Sequence, residues 1–168
     1  MPVSCHEPYE AYKKWVVRHQ PRDCWDIGMG YGNIGMMAQH IIPELELNGV
    51  EVFVPYLIDI QSHAKRYKRI LVSDIRDCFD KLWQVDMVVA FDVIEHLPKA
   101  DGVVVIDYLK SIAKMGLLVA LPIVNYPQGP MYGNEAERHL AQWTVEEMEE
   151  LGGKTLFKGK VCGLFEFK

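Results

Sequence analysis

Apolar runs alternate along this chain with polar segments in which apolar residues recur at three- and four-residue spacing. Runs rich in Val, Ile, Leu and Trp predict buried strands, and the spaced segments predict helices that pack on them by one face. The predicted strands are 24–27, 47–52, 69–72, 85–91 and 116–121, with two closing strands within 154–168. The predicted helices are 8–19, 36–42, 55–67, 101–113 and 144–151, the last starting at a Thr144–Glu147 capping box.

The alternation of strands and helices predicts an α/β fold, a three-layer αβα doubly wound domain with a mostly parallel sheet. The last two strands are separated by too few residues for a parallel crossover, so we expect them to be antiparallel to each other. We interpret residues 1–168 as a single domain in which residues 1–20 form an N-terminal helical cover.

Composition narrows the function classes. Hydrophobic residues make up 49% of the 168 residues and the net charge is −5, which favours a globular protein over a general nucleic-acid surface. We expect the basic patch at residues 65–69 to be a solvated helix end. No apolar stretch is long enough for a membrane span. The four cysteines are scattered, which favours reduced thiols in a cytoplasmic protein and neither a zinc site nor a disulfide framework.

The candidate chemistry starts at the glycine-rich segment after the first strand. Residues 30–35 match the G-x-G-x-x-G pattern, with a helix start behind it that can present free N–H groups to a ligand. Glu51, at the end of the next strand, is placed to bind the hydroxyls of a ribose. Asp26, before Gly28, suits a cationic end of a ligand and suits a pyrophosphate badly, which favours S-adenosylmethionine over NAD. Asp74 ends the third strand, where a carboxylate can accept from an adenine amino group.

At this point the chain resembles the class I S-adenosylmethionine-dependent methyltransferases. Four segments, 26–35, 49–51, 73–75 and 86–97, are similar to that family's motifs in the same order, and the resemblance covers about residues 22–168. It departs from the pattern at Met29, where a small residue is commoner. The resemblance implies a seven-stranded sheet with an antiparallel last strand, and S-adenosyl-L-methionine as cofactor with S-adenosyl-L-homocysteine as product. The cofactor-binding residues that it implies are Asp26, Gly28, Met29, Gly30, Glu51, Asp74, Ile75, Phe91 and Asp92.

Each of the three acids in that set also has a structural interpretation. Asp26 would be a turn former or a helix-dipole partner, Glu51 a solvated strand end, and Asp74 an Asx-turn residue.

Two histidines are candidate general bases. His96 follows the fourth strand, and His139 follows a long loop that begins after the fifth strand. In that loop Tyr126, Met131 and Tyr132 are the predicted substrate contacts. For each histidine the alternative is a purely structural role. We predict no metal, although Glu95, His96 and His139 form an alternative metal-ligand set that no sequence spacing demands.

The N-terminal helix also has two interpretations. Tyr9, Tyr12 and Trp15 would either dock the helix by its aromatic face or cover the cleft as substrate contacts.

The sequence thus predicts a methyltransferase acting on a small molecule, with an oxygen acceptor favoured. The expected partners are that small-molecule acceptor and, at most, a second copy of the chain in a homodimer. Three alternatives remain at this point. They are a non-catalytic module that binds S-adenosylmethionine or S-adenosylhomocysteine, a protein or nucleic-acid methyltransferase, and an NAD(P)-binding fragment. The short chain favours the first of these alternatives, and the segment after the fourth strand lacks the D/N/S-P-P-Y/F motif of enzymes that methylate nucleic-acid nitrogens.

Overall fold

The structure is a computed structural model that describes residues 5–59 and 65–168, and its framework is a sheet of seven strands. The strands are β1 Asp23–Ile27, β2 Glu46–Glu51, β3 Tyr67–Val72, β4 Val85–Phe91, β5 Ala113–Pro122, β6 Lys154–Lys158 and β7 Cys162–Phe167. The α-helices in the described residues are α1 Tyr9–His19, α2 Asn33–Ile41, α3 Val54–Asp59, α4 Lys99–Ile112 and α5 Val145–Glu150. Short 3-10 helices cover Ile75–Asp77, Phe79–Lys81, Ile94–His96 and Glu135–Glu137.

The strand order is β3-β2-β1-β4-β5-β7-β6. β1 to β5 are parallel to one another, and β7 runs antiparallel to both β5 and β6. The predicted α/β class, the mostly parallel sheet and the antiparallel last strand are therefore confirmed. Sequence order reverses direction between β1 and β4, and in open α/β sheets the crevice beyond the carboxyl ends of such strands is the usual ligand position.

Alternation along the buried strands divides the core between the two faces of the sheet. In β4, Val88 and Ala90 pack on the face covered by α4 and α5, whereas Met87, Val89 and Phe91 pack on the face covered by α1 and α2. All seven residues of β4 are buried. A strand covered on both faces needs no polar side, which explains its nearly continuous apolar sequence.

The predicted helix over 55–67 is wrong at its C-terminal end. α3 ends at Asp59, and Tyr67 is the first residue of β3, where it pairs with Leu47 of β2. Residues 60–64, which the prediction also placed in this helix, lie outside the described residues. The basic patch is likewise not a helix end, since its last three residues are in β3. The Tyr67 ring is buried, so burial of an aromatic residue overrides the local helical spacing.

Helix α1 docks by its aromatic face. Tyr12 and Trp15 are buried, the Tyr12 hydroxyl donates to the Ile34 carbonyl at 3.2 Å, and Trp15 Nε1 donates to Glu166 Oε1 at 2.7 Å. Neither these two residues nor Tyr9 belongs to the wall of the cleft described below. The aromatic residues of α1 therefore dock the helix on the domain and do not line the cleft. Residues 5–7, which precede the helix, do line it. Among the described helices, none has the length and apolar character that a bilayer crossing requires.

Candidate functional site

A tight glycine loop connects β1 to α2 at the carboxyl end of the sheet. Gly28 has φ +63°, and a Cβ atom there would lie 2.5 Å from Val93 Cγ2. In the first turn of α2, a Cβ on Gly35 would lie 2.5 Å from the Tyr67 hydroxyl and 2.7 Å from Asp26 Oδ2. Glycine suits the left-handed backbone at Gly28, and at Gly35 it leaves room for the Tyr67 hydroxyl and the Asp26 carboxylate. This loop therefore requires glycine at both positions.

Asp26 lies at the end of β1 beneath the loop and is 2% exposed. Its Oδ2 accepts hydrogen bonds from the Tyr67 hydroxyl at 2.6 Å and from the Gly35 amide at 3.0 Å. Burial raises the pKa of Asp26 to about 6, against the lowering effect of these two donors. The side chain therefore fixes the loop to β3 and also lines the cleft with a carboxylate.

Glu51 ends β2 on the other side of the same loop. Its Oε2 accepts from the Gly30 amide and its Oε1 from the Phe53 amide, both at 2.8 Å. Burial raises the pKa of this carboxyl, and the two amides oppose that rise. Each carboxylate oxygen has a second lone pair, so these bonds leave acceptor capacity for two hydroxyl groups.

The acid at the end of β3 is held by an arginine. Asp74 caps the 3-10 helix Ile75–Asp77 by accepting from the Arg76 amide at 2.9 Å, and its two oxygens also bind the Arg76 guanidinium at 3.0 and 2.8 Å. Hydrogen bonds from Arg76 lower the pKa of Asp74. Arg76 in turn binds Asp101 at 2.8 Å. Asp74 and the buried Ile75 both line the cleft, with the Asp74 carboxylate already engaged by a cation.

Phe91 and Asp92 complete this wall at the end of β4. Phe91 is buried and packs edge-on against Tyr12, with 5.2 Å between ring centroids. Asp92 adopts φ +52°, its amide donates to the Ala120 carbonyl at 2.8 Å, and its Oδ2 accepts from the Cys5 amide at 3.1 Å. The turn at Asp92 thereby ties the N-terminal segment to the cleft.

One cavity of about 810 Å³, a size typical of small-molecule sites, is lined by the strand-end residues just described: Asp26, Gly28, Glu51, Asp74, Ile75, Phe91 and Asp92. The wall carries a marked excess of acidic side chains, with Arg76 as its single Lys or Arg among the described residues. Such a cavity favours cationic ligands over anionic ones. The acidic lining residues are Glu7, Asp26, Glu51, Asp74, Asp92, Glu95, Glu135 and Glu137.

The structure brings both candidate histidines together at one end of the cavity. The rings of His96 and His139 lie edge to face with centroids 4.8 Å apart. His96 Nδ1 lies 3.2 Å from the Arg138 carbonyl, and His139 Nδ1 lies 2.6 Å from the Tyr126 carbonyl. Desolvation lowers the pKa of both histidines, which favours their neutral forms near pH 7.

The predicted substrate loop contributes only part of what the sequence assigned to it. Tyr126 and Met131 line the cavity. Tyr132 is 63% exposed and is not part of the cavity wall, so the structure does not place it at the site. The loop folds back on itself through a bridge between Met131 and Asn134, which directs Tyr132 to the tip. Gln128 lines the cavity and donates to the Glu137 carbonyl at 2.6 Å.

Sequence reasoning missed three side chains of this site. Tyr67, interpreted as the end of a helix, binds Asp26. Tyr56 donates to Glu137 Oε1 at 2.8 Å and so connects the start of α3 to the loop beyond β5. Glu95 was considered only as an alternative metal ligand, yet it is buried among the histidines. The partners of Tyr67 and Tyr56 come from distant parts of the chain, and no local pattern signals them.

No protein-family model matches the sequence, and no curated protein is found as a relative. Solved structures are similar to it. An O-methyltransferase family protein from Burkholderia thailandensis gives a TM-score of 0.71 at 15% identity, covering 97% of this chain and 56% of that one. PH0226 from Pyrococcus horikoshii gives a TM-score of 0.71 at 14% identity, covering 95% of this chain and 88% of that one. Magnesium protoporphyrin IX methyltransferase from Synechocystis was solved with bound S-adenosylmethionine. It gives a TM-score of 0.67 at 14% identity, covering 96% of this chain and 77% of that one.

These similarities define the fold. The chain has the class I S-adenosylmethionine-dependent methyltransferase fold, as the order of the four sequence segments indicates. It spans little more than half the length of the Burkholderia protein.

Proposed function

We propose that this chain is an S-adenosylmethionine-dependent methyltransferase that modifies a small molecule at an oxygen atom. The observation that carries the proposal is the pair of buried acids, Asp26 and Glu51, on either side of a glycine loop at the carboxyl ends of β1 and β2. The acidic cavity beside them has the sign of charge that suits a ligand with an ammonium and a sulfonium.

The proposed cofactor-binding residues follow the cavity from one end to the other. Asp26 and the loop residues Gly28, Met29 and Gly30 would hold the methionine part, and Glu51 would accept from the ribose hydroxyls. At the adenine end, Asp74 and Ile75 would form the contact, with Arg76 holding the Asp74 carboxylate in one orientation. Phe91 and Asp92 would lie near the sulfonium.

When bound, this cofactor supplies a methyl group on a positively charged sulfur. The residues of the chain then have to position the acceptor and move a proton. His96 and His139 are the candidate bases, because desolvation favours the neutral form of both rings and both line the same cavity as Phe91 and Asp92. Tyr126 and Met131 also line the cavity and would provide apolar surface for the acceptor.

The structural neighbours support the cofactor and the reaction class. Besides the Synechocystis enzyme, they include mitomycin 7-O-methyltransferase and the N-terminal domain of EvdMO1 with S-adenosylhomocysteine bound. The name of mitomycin 7-O-methyltransferase gives a small molecule methylated at oxygen, and the Burkholderia protein is named as a member of an O-methyltransferase family. Oxygen as the acceptor atom is therefore our preferred form of the proposal.

Calorimetric titration with S-adenosylmethionine and S-adenosylhomocysteine tests the proposal. Glu51→Ala should weaken binding about 10- to 100-fold, since it removes hydrogen bonds to a charged acceptor worth about 1.5–3 kcal/mol. Glu46→Ala is the matched control, because Glu46 begins the same strand and pairs at the surface with Lys68. Equal affinity of the Glu51 variant and the wild type would remove this acid from the site.

Turnover separates an enzyme from a binding module. Formation of S-adenosylhomocysteine with a library of hydroxylated metabolites would support catalysis. Tight cofactor binding with no turnover across the library would instead favour the non-catalytic alternative. Binding of NAD(P) with no binding of the sulfonium compound would contradict the proposal.

A further inference from the structure

Three potential metal ligands meet where the 3-10 helix Ile94–His96 faces the end of the long loop. Glu95, His96 and His139 each offer one ligand atom, and these atoms lie within 4.8 Å of one another. Two of the residues are adjacent in sequence, whereas His139 comes from beyond β5. The fold therefore assembles this cluster, and all three residues line the cavity of the proposed site.

The hydrogen bonds of the two histidines fix which nitrogen is available. Nδ1 of each ring lies within hydrogen-bond distance of a backbone carbonyl, that of Arg138 for His96 and that of Tyr126 for His139. A carbonyl oxygen only accepts, so Nδ1 carries the proton and the neutral ring has its lone pair on Nε2. Metal-binding histidines characteristically donate their other ring N–H in this way.

Glu95 provides the second, independent observation. It is 1% exposed, and among the described residues neither carboxylate oxygen accepts a hydrogen bond of ordinary geometry; its side-chain contact is to the Asp92 carboxyl group. The side chain with which it interacts most strongly is another carboxyl group, that of Asp92, which brings no cation to Glu95. A buried carboxylate normally requires an ion pair, hydrogen bonds or a metal ion. A metal ion held together with the two histidines would satisfy this side chain.

We propose that Glu95, His96 and His139 bind one divalent transition-metal ion at the acceptor end of the cavity. The set of two imidazoles and one carboxylate suits Zn²⁺, Co²⁺, Mn²⁺ or Fe²⁺ rather than the all-oxygen preference of Mg²⁺. Three protein ligands would leave coordination positions open, and all three side chains line the cavity. The sequence alone predicts no metal, and the proposal departs from that expectation because Glu95 is buried.

A metal ion at this position would favour one chemical class of methyl acceptor. This inference about the acceptor rests on the proposed function. An oxygen of the acceptor would occupy an open position, so the fitting substrates carry a hydroxyl beside a second oxygen donor, such as a catechol or a hydroxy acid. The apolar surface of Tyr126 and Met131 would contact the remainder of that molecule.

Direct metal binding tests the inference without reference to turnover. The whole chain is freed of metal with a chelator and titrated with Co²⁺, followed by visible absorption, and with Zn²⁺, followed by calorimetry. We expect one equivalent to bind, and Glu95→Gln and His139→Ala each to weaken binding at least 10-fold. Far-ultraviolet circular dichroism establishes that each variant is folded, and the conservative Glu95→Gln change keeps the side-chain volume.

Two control variants show where the ion binds. His40→Ala removes an exposed histidine on α2 and should leave binding unchanged. Cys5→Ser removes a ligand from the other cluster of potential ligands in the described residues, Cys5, Glu7 and Cys162, and should also leave it unchanged. Loss of binding in Cys5→Ser with retention in Glu95→Gln would overturn the assignment, as would the absence of saturable binding to the folded wild type.

A cofactor titration keeps this inference separate from the proposed function. Metal binding without S-adenosylmethionine binding would contradict the proposed function and leave the metal site standing. S-adenosylmethionine binding to a protein that binds no metal would contradict the metal site and leave the proposed function standing.

Discussion

Removing the Tyr67 hydroxyl would test whether the charge of Asp26 is what holds a cationic cofactor. That hydroxyl donates to Asp26 Oδ2 at 2.6 Å inside the core, and it stabilises the ionised carboxylate against the effect of burial. Tyr67→Phe keeps the ring that packs beneath the glycine loop and deletes only the donor. The Gly35 amide still donates to the same oxygen, so the carboxyl keeps its orientation.

The structure gives the size of the effect. A hydrogen bond to a charged group contributes about 1.5–3 kcal/mol, and about 1.4 kcal/mol corresponds to one pKa unit. The pKa of Asp26, about 6 in the native protein, should therefore rise by about one to two units in Tyr67→Phe. At pH 7 the ionised fraction then falls from about nine-tenths to between about a half and a tenth. If only the ionised form binds the cofactor well, the apparent Kd rises about 2- to 10-fold.

The assay is calorimetric titration with S-adenosylmethionine between pH 5 and pH 9. Wild-type affinity should fall as the pH drops through about 6, and the variant should show the same fall at a higher pH, with its affinity largely restored at pH 9. Tyr108→Phe is the control, since it deletes a hydroxyl that donates to the Phe79 carbonyl, away from the cavity. An affinity independent of pH between 5 and 9, or an unshifted midpoint in Tyr67→Phe, would refute the reasoning.

Other substitutions test the loop and the histidines. The native pKa of Asp26, about 6, lies above its usual 3.8, so the native state binds this proton more tightly and stability falls as the pH rises from about 4 to 6. Asp26→Asn should thus raise the free energy of unfolding by about 2–3 kcal/mol at pH 8, with a smaller gain at pH 5, in urea titrations, while cofactor affinity falls. Gly28→Ala should lower the Tm more than Gly152→Ala: both have positive φ, but only the Cβ at Gly28 meets a neighbour, Val93. His139→Ala should reduce turnover at least 10-fold with little change in cofactor Kd; a change confined to thermal stability would indicate a structural role.

The proposed cofactor-binding residues could be predicted from the sequence because the segments that carry them are local. A strand, a glycine loop and a helix start are consecutive, and the acids stand at predicted strand ends, so one parallel-sheet rule brings Asp26, Glu51 and Asp74 to a common edge. The capping box at Thr144 and Glu147 was likewise predicted and is present, because both of its hydrogen bonds form within one turn.

Contacts between distant segments were not accessible in this way. The spacing of residues 55–67 predicted a helix through Tyr67, but the energy that decides its structure comes from burying the ring and binding Asp26, 41 residues earlier in the chain. Arg76 was not identified as a partner of Asp74 and Asp101 either, although it lies only two positions after Asp74. Pairing of charges depends on side-chain direction, which a pattern of apolar and polar residues does not specify.

The proposed acceptor site also depends on contacts between segments that are distant in sequence. Neither His96 nor His139 has a residue spacing that predicts a shared site, since the loop between β5 and α5 decides whether they meet. The backbone of that loop settles the question: its carbonyls at Tyr126 and Arg138 face the two Nδ1 atoms, and the amides of Leu140 and Ala141 donate to the Glu95 carbonyl. These bonds hold the histidines beside a buried carboxyl, and no core-packing requirement explains why a glutamate occupies that position. A ligand that satisfies Glu95 would explain it.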